Sequence, residues 1–100
     1  MISEKAQKPT VSAENQEQNA VVGSSVTLHC IVSYNRDQYN VRWFREHNPL
    51  PENSRVDNEY LHLYNILPED AGRYFCEVPF GESSSSDYIN LNVQSKKLCT

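Results

Sequence analysis

The sequence predicts an all-β fold, and three features carry that expectation. Residues 25–33 alternate, with Val26, Leu28, Cys30 and Val32 on one face and Thr27, His29 and Ile31 on the other, the period of two that a half-buried strand requires. The run Asp70-Ala71-Gly72-Arg73-Tyr74-Phe75-Cys76 sets an acid and a glycine ahead of a second alternating stretch, so a turn feeds a strand whose Tyr74 and Cys76 point the same way. No heptad, internal repeat or long helical pattern competes with these runs.

Each element follows in chain order. Residues 1–8 are charged and aperiodic and read as a disordered linker, the domain proper as 9–94, and residues 95–100 as a second linker. Pro9 opens an edge-compatible segment over Thr10–Ala13, and Asn19–Val22 continues along the same edge to a turn at Gly23-Ser24. After the alternating stretch 25–33, the polar Tyr34–Asn40 makes a loop. A strand over Tyr39–Arg45 then turns Val41 and Trp43 inward and Arg42 and Phe44 outward. Pro49-Leu50-Pro51 breaks the sheet, because proline donates nothing to a ladder. Tyr60–Ile66 is the next strand, with Leu61, Leu63 and Ile66 inward. The turn Leu67–Asp70 leads into the strand Gly72–Val78. Pro79–Ser86, with Gly81 and four consecutive serines, reads as a flexible loop longer than a two-residue turn. Asp87–Gln94 closes the chain of strands, with Ile89, Leu91 and Val93 inward.

One hundred residues make one domain with a modest core. A net charge of −4 argues against affinity for nucleic acid or anionic lipid. No stretch approaches the roughly 20 apolar residues that span a bilayer, which argues against direct membrane insertion. Met1–Pro9 is too polar for a secretory signal, so the expectation is a segment excised from a longer chain.

Twelve residues separate Cys30 from Trp43 and 45 separate Cys30 from Cys76. A cysteine, a tryptophan about a dozen residues on and then Asp-x-Gly-x-Tyr-x-Cys resemble an immunoglobulin domain over roughly residues 9–94. That resemblance implies an antiparallel β-sandwich with Greek-key connections. Segments 10–13, 25–33 and 60–66 would form one sheet with a fourth strand lying before residue 60, and 19–22, 87–94, 72–78 and 39–45 the other. It also implies a Cys30–Cys76 disulfide packed on Trp43. The alternative is a pair of buried thiols, as in cytoplasmic muscle repeats. Leu63, Asp70, Gly72 and Tyr74 are assigned to the fold, with the Tyr74 hydroxyl returning to backbone between Leu67 and Asp70. Arg55 is the candidate ion-pair partner of Asp70. The short path from 52 to 59 leaves no room for an extra hairpin and fits the I-set form. Trp43-Phe44-Arg45, Pro49-Leu50-Pro51 and the run Leu61 to Tyr74 are similar to I-set repeats of perlecan-like basement-membrane proteoglycans. Relatives of this kind are extracellular modules, secreted or at the cell surface, that bind proteins or space neighbouring domains of the same chain. The other readings are a receptor ectodomain module and an intracellular, titin-like mechanical repeat.

Nothing in the chain carries catalysis or a cofactor: there is no Gly-x-Ser-x-Gly, His-Glu-x-x-His or phosphate loop. Cys99 is either an interdomain bridge or an unpaired terminal residue, and no Cys-x-x-Cys accompanies it to suggest zinc. His29 and His62 read as solvated histidines on the outer face of their sheet, with no acid placed beside them. No Asn-x-Ser/Thr acceptor or Ser-Gly dipeptide occurs, so no N-linked sugar obstructs the faces. The positions left for recognition are outward ones. On the sheet of 39–45, 72–78 and 87–94 these are Arg42, Phe44, Phe75, Glu77, Tyr88 and Asn90, with Phe80 added from the expected loop. Three aromatics and an arginine are types enriched at protein interfaces, although Phe44 and Phe75 can equally just cover each other.

Overall fold

Alternating strands bury one face each, and here they do so against one another in two layers. The computed structural model describes residues 9–33 and 40–95. Strands β1 (Val11–Ala13), β3 (Val26–Val32), β6 (Tyr60–Leu63) and β5 (Ser54–Asp57) form one sheet in the order β1-β3-β6-β5. Strands β2 (Glu17–Val21), β8 (Ser83–Gln94), β7 (Gly72–Phe80) and β4 (Arg42–Arg45) form the other in the order β2-β8-β7-β4. All pairings are antiparallel except β2 with β8. That parallel pair exists because the chain changes sheets between β1 and β2: the Glu14 amide donates to His29 on one side, and Gln16 accepts from the Asn90 amide on the other.

The core lies between the inner faces. Leu28, Cys30, Leu61, Leu63, Ile66, Tyr74, Cys76, Val78, Ile89 and Leu91 are buried there, with Trp43 opposite Cys76 in register. Cys30 and Cys76 are joined by a disulfide with Cα atoms 6.6 Å apart. On the chain-entropy account, closing a loop this long stabilises by about 4 kcal/mol. The Trp43 indole donates to the Asn58 carbonyl at 2.8 Å, and the Asn58 side chain accepts from the Val41 amide at 3.0 Å, so one turn residue ties β4 to the opposite layer.

The turn before β7 is a second knot. Asp70 is 3% exposed, and its carboxylate accepts from the Leu67 amide at 2.9 Å and the Asn53 side chain at 3.1 Å. Asn53 also donates to the Tyr64 carbonyl. Tyr74, fully buried, donates its hydroxyl to the Asp70 carbonyl at 2.6 Å. Arg45 donates to the Glu69 and Ala71 carbonyls and lies over the Tyr74 ring at 5.1 Å. Gly72 has φ of +144°, and an added Cβ would stand 3.2 Å from the Arg45 guanidinium, so both dihedral and space call for glycine.

Several expectations are corrected. Pro79–Ser86 is not a loop: β7 runs to Phe80 and β8 starts at Ser83, with Phe80 opposite Ser83 and only Gly81-Glu82 between them. Gly81 at φ +61° supplies the positive dihedral that a two-residue hairpin needs at its first position. The serines keep register as strand residues, with Ser84 bonded to Glu77 and Ser85 to the Pro9 carbonyl. Arg55 does not pair with Asp70, because β5 sets it opposite His62 on the outer face. The Tyr64 hydroxyl beside it holds its guanidinium pKa above the ordinary value. β2 begins at Glu17 rather than Asn19, β4 at Arg42, and β6 ends at Leu63, with Asn65 at φ +49° carrying the chain to buried Ile66. The expected linker 1–8, most of the loop 34–40, and Cys99 lie outside the described residues.

Burial pushes the Tyr74 phenol up to about 12, with Asp70 adding to the shift and Arg45 opposing it. An unfolded tyrosine ionises near pH 10, so between those values the unfolded chain releases a proton that the folded chain keeps, and stability falls as pH rises. Tyr74→Phe should lower stability at neutral pH by about 1–2 kcal/mol, the cost of leaving the Asp70 carbonyl unpaired. In urea denaturation, the same variant should show a shallower loss between about pH 10 and 12.

Candidate functional site

The outer face of β4, β7 and β8 is built by register. Pairing sets Phe44 opposite Phe75 and Phe75 opposite Tyr88, so three aromatic rings from three strands form one row across the sheet. Phe44 and Phe75 stack with centroids 5.2 Å apart, and Tyr88 meets Phe75 edge-on at 6.4 Å. The two phenylalanines do cover each other, yet Phe44 keeps 37% of its surface exposed.

Charges bracket the row. Above it, Arg42 lies opposite Glu77 at 3.4 Å, and the Glu77 carboxylate also accepts from Ser84. The Arg42 side chain is 67% exposed and that of Glu77 24%, so the guanidinium is the charge presented to solvent. Below the row, Arg73 lies over the Tyr88 ring at 4.2 Å and donates to the Asn90 side chain at 3.0 Å. Asn90 and Asn92 in turn donate to Glu17 of β2. These two amides hold the Glu17 carboxyl below its ordinary value, with a smaller contribution from Arg73. A shallow groove lined by Glu17, Glu46, Arg73 and Asn90 runs along this lower border.

Of the expected face residues, Arg42, Phe44, Phe75, Glu77, Tyr88 and Asn90 are brought together. Phe80 is not among them. As the fifth residue beyond outward Phe75 in an unbroken strand, it points to the inner side at the end of the sandwich. Arg73, Glu17 and Glu46 belong to the border but were not singled out from sequence. Counting two residues back from Phe75 would have found Arg73; the places of Glu17 and Glu46 depend on which strands become neighbours.

The histidines are a second correction. His29 Nδ1 lies 3.1 Å from Glu14 and its Nε2 3.5 Å from Glu59, while His62 Nε2 is 3.9 Å from Asp57. His29, Tyr60, His62 and Tyr64 stack in sequence along the outer face of the other sheet. Acids therefore accompany both imidazoles, brought there by the bends at either end of the strands. Among the described residues no three metal-ligating side chains cluster, and no helix is long and apolar enough to cross a membrane.

Two four-stranded sheets pinned by a buried cysteine bridge, with a tryptophan opposite it and a tyrosine bonded back to its own turn, define an immunoglobulin-like sandwich. The sequence profile of the immunoglobulin domain matches residues 8–79, and the chain belongs to that family. It is 26% identical to the mouse basement membrane-specific heparan sulfate proteoglycan core protein over 92% of its length, and 36% identical to mouse hemicentin-2 over 72%. It spans only 2% of either relative. Among solved structures, the ectodomain of mouse nectin-like molecule 4 superposes with a TM-score of 0.78 at 25% identity, over 92% of this chain and 32% of that one. The domain is thus similar to modules of matrix and adhesion proteins.

A Phe44→Ala and Phe75→Ala double-mutant cycle should give a coupling of about 0.5–1.5 kcal/mol by urea denaturation, the usual worth of a stacked aromatic pair beyond its buried area.

Proposed function

We propose that this domain is a non-catalytic extracellular module that binds a protein through the outer face of β4, β7 and β8, as one unit of a larger matrix or cell-adhesion protein. The observation that carries the reading is the row Phe44, Phe75 and Tyr88, contiguous across three strands and flanked by Arg42 and Arg73. Scattered apolar residues on a surface need no explanation, but a connected aromatic row between arginines has the composition of an interface centre. The Cys30–Cys76 bond supports passage through an oxidising compartment. The likeness to the proteoglycan core protein and the short path between β4 and β6 support a perlecan-like matrix setting.

The test begins with capture of partners from matrix extract on the immobilised domain, followed by surface plasmon resonance on the purified partner. Phe44→Ala or Tyr88→Ala should weaken binding by about 2 kcal/mol, roughly thirtyfold, with circular dichroism unchanged. Glu14→Ala, on the opposite sheet, should leave affinity as it was. Unchanged affinity in folded Arg42, Phe44 and Tyr88 variants would move the site off this face.

A further inference from the structure

The outer face of β3, β5 and β6 lies on the sheet opposite the aromatic row, and it is the more exposed of the two. Ile31, Tyr60 and Tyr64 there each keep 40% or more of their surface exposed, whereas Phe75 and Tyr88 of the row are half-buried. Three large apolar side chains left open on one sheet face are a reason to look for what covers them. The charges on this face are divided along the strands. Asp57 lies opposite Tyr60, Tyr60 opposite His29, and Glu14 reaches His29 from the bend after β1, with Glu59 closing the row from the β5–β6 turn. The side chains of Glu14 and Asp57 are more than half exposed, and each touches its imidazole through one carboxylate oxygen, leaving the other oxygen open. At the far end, Arg55 starts opposite His62 and is bonded to the Tyr64 side chain. Glu52 and Glu69 line the groove beside Arg45 at the end of the sandwich.

We infer that this face is a second docking site, and that it takes an extended segment of a partner protein carrying a basic side chain and, four residues away, an acidic one. The rings of Tyr60, His62 and Tyr64 follow one another along β6 at 6.2 and 6.3 Å between centroids. Alternate side chains of an extended chain are about 6.7 Å apart, so a segment lying along β6 sets every second side chain over a ring. At Tyr60, an ammonium or guanidinium meets the ring together with the open oxygens of Asp57 and Glu14. At Tyr64, a carboxylate meets Arg55. Between them the His62 nitrogens already face Thr27 and Asp57, so a neutral side chain fits there. A uniformly basic segment gains at Tyr60 and is opposed by Arg55, which makes the mixed pattern the preferred one. The acidic end is presented without reordering, because Asn58 of the β5–β6 turn is bonded to the Val41 amide and the Trp43 indole beneath it.

Amide NMR titration of the 100-residue chain at about 50 mM salt tests the pattern, with the blocked heptapeptide Thr-Arg-Thr-Val-Thr-Glu-Thr as probe. Its addition should shift amides of β3, β5 and β6 and saturate in the millimolar range. Peptides with arginine at both charged positions, or glutamate at both, should bind at least about threefold more weakly. General attraction to a chain of net charge −4 would instead favour the doubly basic peptide. Arg55→Glu, folded by circular dichroism, should invert the preference and take the doubly basic peptide more tightly. Asp57→Asn with Glu14→Gln should weaken the mixed peptide at least about threefold. Phe44→Ala, on the other sheet, should leave its affinity unchanged, so this site and the aromatic row stand or fall separately. No shifts up to about 10 mM peptide, shifts confined to other strands, a wild type that prefers the doubly basic peptide, or an Arg55→Glu variant with the wild-type preference would overturn the inference.

Discussion

Register between β7 and its neighbours governs both the inside and the outside of this domain. Because side chains alternate, a slip of one residue would carry Tyr74, Cys76 and Val78 to the surface and drive Arg73, Phe75 and Glu77 into the core. Two bonds of different kinds prevent it. The bridge to Cys30 fixes the middle of β7 against the opposite sheet, and the Tyr74 hydroxyl on the Asp70 carbonyl fixes its start against its own turn. With those two points held, the outward order Arg73, Phe75, Glu77 is determined, and so is the aromatic row that depends on it.

A sandwich this small has little margin, because domains of this size bury a limited fraction of their apolar surface. Its polar groups are accordingly well placed. Buried Asp70 has two donors, Asn53 serves three acceptors, and Trp43 and Val41 share Asn58. Among the described residues, no buried side-chain polar atom lacks a partner. The buried carboxylate is solvated by amides rather than by a cation, which avoids the desolvation of a second charge. Arg45 is spent on carbonyls and on the Tyr74 ring, so the end of the sandwich is tied together without a buried ion pair.

The two outer faces have different chemistry. On β3 and β6, imidazole and phenol rings stack along the strands with carboxylates at the margin. On β4, β7 and β8, the aromatics run across the strands, with Arg42 and Glu77 above them and Arg73, Glu46 and Glu17 below. A row across strands leaves one continuous apolar line on the surface of the sheet, whereas the rings of the other face follow the strands.

Local pattern was enough for much of this. Alternation in 25–33, 39–45, 72–78 and 87–94 marked the central strands and the outward set Arg42, Phe44, Phe75 and Tyr88, because it repeats every second residue and needs no knowledge of neighbours, while the class of fold came from the resemblance of the Cys-Trp-Cys spacing and the Asp-x-Gly-x-Tyr-x-Cys run to an immunoglobulin domain. Where composition and pairing disagreed, tertiary structure decided. The serines 83–86 look like a linker but have cross-strand partners all along β7, which fix the backbone whatever the side chains prefer. Asp70 had a cation as its natural partner on paper, and received Asn53 instead, because β5 turned Arg55 outward. Glu17 and Glu46 join the face, and Glu14 and Glu59 reach His29, only because distant segments become adjacent. Contacts between residues far apart in the chain leave no mark on a single sequence, whereas the period of a strand is written in every pair of residues it contains.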